Sequence, residues 1–150
     1  MLNIYLLFAL FIVGFTALPM IERYRVRNEL PSSVRGILID TDAKVSQLKK
    51  QEDNLIERIN ILNATSKEYR KKGMTTALIR ANQLNSRLNS VKLEITSLIK
   101  SLEESVAIIE MEGAHGDIDG VNPLDDLRAR LDNADEVLRR THTEIQMTDH

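Results

Sequence analysis

The apolar residues fall into three long periodic stripes, preceded by one unbroken apolar run. The strictest stripe takes Met74, Ala77, Ala81, Leu84, Leu88, Val91, Ile95, Leu98, Leu102 and Ile109, with Ser105 in the inner place before the last. Its steps alternate between three and four residues for about five heptads, with no Gly or Pro inside. A straight helix holds such a stripe against a neighbour only by coiling around it, so the pattern predicts a helix packed on a second helix. A poorer stripe of the same period runs through Leu38, Thr41, Val45, Leu48, Glu52, Leu55, Ile59, Leu62, Ser66 and Tyr69. A third takes Leu124, Leu127, Leu131, Ala134, Leu138 and Ile145, with Thr141 filling the gap.

The breaks between stripes predict how the helices connect. Pro31 disfavours helix in the residue before it, and Ser32 or Ser33 is suited to cap the first long helix. Lys71-Lys72-Gly73 is a helix end, with cations at the carbonyl terminus and Gly where a left-handed backbone is wanted. Thr75 or Thr76 is suited to cap the next helix. Two arrangements fit: helices near 37–72 and 76–111 folded back as an antiparallel hairpin, or one rod with a skip at Gly73. A short turn at 73–76 asks for paired residue numbers summing to 150. That register sets Leu62 against Leu88, Ile59 against Val91, Leu55 against Ile95, Glu52 against Leu98 and Leu48 against Leu102. Large Tyr69 then faces small Ala81, as even packing prefers.

The expected fold class is all-α: an N-terminal transmembrane helix, an antiparallel coiled-coil hairpin and a third amphipathic helix. Residues 1–21 carry no charge and are long enough to cross a bilayer. A cleaved signal is disfavoured by the lack of Lys or Arg before Arg23 and by bulky Phe15 at the minus-three place of the best cleavage site. Residues 22–33 form a basic juxtamembrane linker, 34–112 the hairpin, 113–122 a Gly-rich connector, and 123–150 the third helix and tail. At the end of the connector, Asn122 is a cap candidate and Pro123 takes the first helical place. Arg23, Arg25, Arg27 and Arg35 lie after the span and none precedes it, which places the N-terminus outside and the C-terminal region in the cytoplasm. Arg23, Tyr24, Arg25 and Arg27 are also suited to lie at anionic headgroups.

Composition narrows the function. The only aromatics after residue 21 are Tyr24 and Tyr69, so the packed positions must be Leu, Ile, Val and Ala. The chain has no Cys, which excludes disulfides, thiolate metal sites and Cys nucleophiles. Residues 22–72 hold 12 Lys/Arg against 8 Asp/Glu, and residues 113–150 hold 4 against 9, so the charge is unevenly spread. His115, Asp117 and Asp119 resemble a metal cluster, but a calcium loop needs Gly at place six and Glu at twelve, and neither is present. No phosphate loop or nucleophile motif occurs. Asn63-Ala64-Thr65 matches a glycosylation acceptor inside the first helix and on the cytoplasmic side, a coincidence. The expectation is no catalytic residue, no metal, no cofactor and no small-molecule substrate. Nucleic acid is not expected either, because the basic face has interspersed acids and lacks stacking aromatics.

The remaining reading is a single-pass, membrane-anchored coiled-coil scaffold or adaptor that oligomerises or recruits a protein partner. The predicted interaction seam is Leu48, Leu55, Ile59, Leu62, Leu84, Leu88, Val91, Ile95, Leu98, Leu102, Leu127, Leu131 and Leu138. The off-seam residues Ile99, Val106 and Ile108 ask for cover on a second side of the second helix. Two alternatives are an accessory structural subunit of a larger membrane complex and an exported coiled coil of the phage inner-membrane spanin type. The topology is similar to that of the peripheral-stalk b subunit of rotary ATP synthases, with one span before a long cytoplasmic helix. The Gly73 break, the Gly-rich connector and the Asn/Ser-rich second helix depart from that pattern, and the resemblance is not adopted.

Overall fold

In the computed structural model, residues 23, 25–114 and 121–148 are described, and their regular structure is entirely helical. Three long helices succeed one another: α1 (Ser32–Lys71), α2 (Thr75–Ala114) and α3 (Val121–Thr148). A short helical stretch, 25–29, precedes α1. None of the described helices is long and apolar enough to cross a membrane. The predicted span, residues 1–21, lies outside the described residues, as do Tyr24 and the connector's central residues 115–120.

The helix ends are set by backbone chemistry. Pro31 sits at the cap of α1 with an extended ψ of 146° and no side-chain cap. Its carbonyl accepts from Arg35 N–H at 3.0 Å, so Ser32 and Ser33 open the helix instead of capping it. A proline can precede the first turn because the amide it lacks would have no intrahelical partner there. At the other end Gly73 takes φ +67°. Met74 N–H donates to the Tyr69 carbonyl at 3.0 Å and Gly73 N–H to the Arg70 carbonyl at 3.3 Å, the crossed pair of a Schellman ending. Leu78 N–H donates to the Met74 carbonyl, which makes Met74 the cap of α2 and puts Thr75 and Thr76 in its first turn. Helix α2 continues to Ala114, beyond the predicted end, and α3 starts at Val121, one residue before the expected cap Asn122.

Gly36 and Gly73 differ in backbone conformation, and opposite substitution effects are expected of them. Gly36 lies inside α1 with no atom within 4 Å of an added Cβ. Gly36→Ala should therefore stabilise the fold by about 0.5–1 kcal/mol through backbone entropy. Gly73→Ala has equal space but must hold a left-handed backbone, and should cost about 1 kcal/mol. Thermal unfolding of the two variants checks the sign. A shift in the same direction for both would contradict the turn geometry.

Interhelical contacts fix how the helices run. Asn85 Nδ2 donates to Asn63 Oδ1 at 2.7 Å, Thr96 Oγ1 to Glu52 Oε2 at 3.0 Å, and Lys49 Nζ to Glu103 Oε1 at 2.6 Å. These pairs bracket the register expected for a closed turn, and α1 and α2 run antiparallel. Arg130 donates to Ser101, Arg140 to Glu94, and Arg87 to Glu144, so α3 runs antiparallel to α2 in turn. Lys44 pairs with Asp135 and ties α3 to α1. The result is an up-down-up bundle of three helices over part of its length.

One apolar cluster joins all three helices. Leu38, Leu48 and Leu55 of α1, Ile95 and Leu102 of α2, and Leu127 and Ala134 of α3 are all fully buried. Glu52, the weak layer of the first stripe, is half-buried and reaches the rim to accept from Thr96. Thr41 and Thr141 are buried outright, their hydroxyls satisfied by the carbonyls of Ile37 and Val137 on their own helices. Ile99 and Val106 are buried, as their off-seam positions require, but Ile108 is 49% exposed. It lies at the edge of the α3 seat, beside Pro123 and Asp126 in the first turn of that helix.

Candidate functional site at the open tip of the hairpin

Most of the predicted interaction seam is spent inside the chain. Leu48, Leu55, Ile59, Leu88, Ile95, Leu98, Leu102 and Leu127 are buried in the bundle core. Val91, Leu131 and Leu138 are partly buried against it. In α3 Val137 is buried and the predicted Leu138, one place on, only partly so, because the face turned to the hairpin is centred on Leu127, Ala134 and Thr141. Leu62 also packs partly against that core, and Leu84 alone of the predicted seam is in neither group. Both are half-buried, and both line an open groove.

That groove arises because α3 is shorter than the hairpin. Glu144 meets Arg87, and Met147 lies near Arg80 and Leu84. Beyond this level α1 and α2 continue to the turn as a two-helix finger, projecting ~15 Å at 1.5 Å per residue. On the face that α3 would cover if it went on, a groove of about 670 Å³ opens between the two helices. Leu62 and Tyr69 line one wall, Ala77, Ala81 and Leu84 the other, and Met74 closes the end. The lining is small and apolar on the α2 side because Ala occupies two successive seam positions there.

The finger is also the basic part of the molecule. Residues 66–84 contain Lys67, Arg70, Lys71, Lys72 and Arg80 against Glu68 alone, a local net charge of +4 in a chain whose total is -2. Glu68 is occupied by Lys72 one turn away. Arg87 is taken by Glu144 of α3, whose carboxylate oxygens both accept from Nη2 at 2.9 Å. Arg80, one heptad further toward the turn, lines the groove and makes no ion pair among the described residues.

At the opposite end Arg23 and Arg27 reach back to α2. Glu110 is buried, with its side chain 10% exposed, and accepts from Arg23 Nε at 3.1 Å and Arg27 Nε at 2.8 Å. Arg27 also pairs with Asp42 of α1. The hydrogen bond to Asp42 leads in holding the Arg27 guanidinium above its ordinary pKa, with Glu110 adding to it and burial opposing. A raised pKa means its contribution is fully present below the value of free arginine, hence at any pH in ordinary use. Of the residues expected at lipid headgroups, Arg23 and Arg27 thus serve this clamp. Arg25 faces solvent beside Glu29, 3.8 Å away, and Tyr24 lies outside the described residues.

Other chemistry is sparse. No three His, Asp or Glu side chains are grouped for a metal among the described residues. His115, Asp117 and Asp119 lie outside them, while Asp125 and Asp126 pair with Arg128 and Arg130. His142 is exposed, and its Nε2 lies 3.0 Å from Gln146 Nε2. Comparison with known proteins finds no matching family model, no similar curated protein and no similar solved structure.

Proposed function

We propose that the protein is a non-enzymatic helical scaffold, anchored in a membrane by residues 1–21, that recruits a protein partner at the cytoplasmic face. The observation that carries this reading is the division of the hairpin. Its base is packed by α3 and clamped to the juxtamembrane arginines, while its tip keeps an uncovered apolar groove with a basic rim. An apolar groove between two helices, flanked by cations, is a surface suited to a helix from a partner. The uncharged first 21 residues and the four arginines after them support the anchor and its orientation. The absence of Cys removes thiol nucleophiles and thiolate metal sites, and the three histidines are scattered.

Two measurements test it. A reporter fused after His150 should be active only on the cytoplasmic side. Activity only outside would replace this reading with the exported coiled coil. A photo-crosslinker at Ile79, which is 53% exposed on the finger, should couple to a distinct protein in native membranes. The same probe at Asp132 on the outer face of α3 should not. Equal labelling from both sites, or none from Ile79, would refute the recruiting role of the tip.

A further inference from the structure

The seat of α3 has a repeat, and the repeat runs past the end of α3. Along α2 the positions Ser101, Glu94 and Arg87 are spaced one heptad apart. Each is met by a side chain of α3: Arg130, Arg140 and Glu144 respectively. The next heptad position is Arg80, which has no such partner among the described residues and stands on the wall of the apolar groove. Groove and seat are continuous, since Arg80 and Leu84 line both the groove and the hollow beside Glu144 and Met147. The groove is therefore one further segment of a helix-binding face, with a cation where the last occupied rung places an Arg–Glu pair.

We propose that this groove seats an acidic amphipathic helix from a partner protein, ~three turns long at 5.4 Å per turn. Its apolar stripe lies on Leu62, Ala81 and Leu84, and a carboxylate meets Arg80 as Glu144 meets Arg87. The charge of the finger selects for acid, because any partner enters a field of five cations and one carboxylate. A second copy fits poorly. Tip against tip sets like charges together, and the apolar face of its acidic α3 is already buried on its own hairpin. A bilayer would meet the rim cations, but the heptad repeat that continues from the α3 seat into the groove favours a helix.

This inference rests on the recruiting role of the tip, and its test is separate from the crosslinking one. A display library of short helical peptides with random charged and apolar positions is panned against the full chain in detergent micelles. Enriched peptides should combine an i, i+3, i+4, i+7 apolar stripe with Asp or Glu beside it. Arg80→Glu should weaken them at least tenfold without changing the helical circular dichroism. Replacing the peptide carboxylate by Lys should restore binding to the Arg80→Glu chain, which loss of folding would not permit. Recovery of basic or uncharged peptides, affinity indifferent to Arg80→Glu, or no enrichment overturns the proposal. So does Arg80-dependent binding to phosphatidylcholine–phosphatidylserine vesicles or to a short DNA duplex in the absence of peptide enrichment. Crosslinking from Ile79 that succeeds while this selection fails leaves the scaffold and removes only the acidic helix.

Discussion

Replacing Leu102 by alanine is expected to lower the free energy of unfolding by about 2–5 kcal/mol. Leu102 is fully buried in the cluster shared by the three helices. Removing its branched end leaves a cavity in a close-packed apolar cluster, which relaxes only in part to fill it. Leu93, on the same helix and 65% exposed, supplies the control. Leu93→Ala should change stability by no more than about 0.5 kcal/mol. Urea unfolding followed by far-UV circular dichroism measures both. The Leu102 loss is large against the ~5–15 kcal/mol that holds a typical domain. Equal, small effects at the two leucines would mean that the core around Leu102 is not packed in solution as the three-helix bundle requires.

The parts legible in the sequence were those that a local pattern decides. Two seams of the same period, separated by Lys71-Lys72-Gly73, allow one short-turn register, and the Asn63–Asn85 and Lys49–Glu103 pairs lie on either side of it. The rim position of Glu52 is explained by the cost of placing a carboxylate in an apolar layer. Features that depend on where α3 lies were not legible. Its offset along the hairpin is set by contacts such as Arg140–Glu94 and Lys44–Asp135, which no periodicity within one helix encodes. The exposure of Ile108 and the inward turn of Val137 depend on that placement. So does the groove, which exists only because α3 ends near Leu84 while the hairpin continues. Leu62 and Leu84 could be named from the seam, but nothing in it separates them from leucines that α3 covers.

Glu110 was invisible for a different reason. Its partners Arg23 and Arg27 stand 87 and 83 residues earlier in the chain, and a single Glu in a helical stripe reads as solvated. Its burial makes it a sensitive test of how the segment before α1 is held. Glu110→Ala removes two charge-assisted hydrogen bonds and leaves Arg27, 22% exposed, with Asp42 alone. Breaking a fully buried pair by deleting one partner costs about 3–5 kcal/mol. Here Arg23 is 57% exposed and can return to water, and Arg27 keeps one carboxylate, so the expected loss is smaller, about 1–3 kcal/mol. An exposed interhelical pair sets the scale: Glu103→Ala, which removes the partner of Lys49, should cost less than about 1 kcal/mol. A double-mutant cycle of Glu110→Ala with Arg27→Ala should give a coupling energy above about 0.5 kcal/mol. The loss should also be local. Leu30 and Val34 pack at the base of the bundle, so amide exchange in residues 25–30 should accelerate in Glu110→Ala while the Gly73 turn is unchanged. Additive single mutants, or exchange unchanged in 25–30, would show that these arginines are not anchored to the bundle and remain available to a membrane surface.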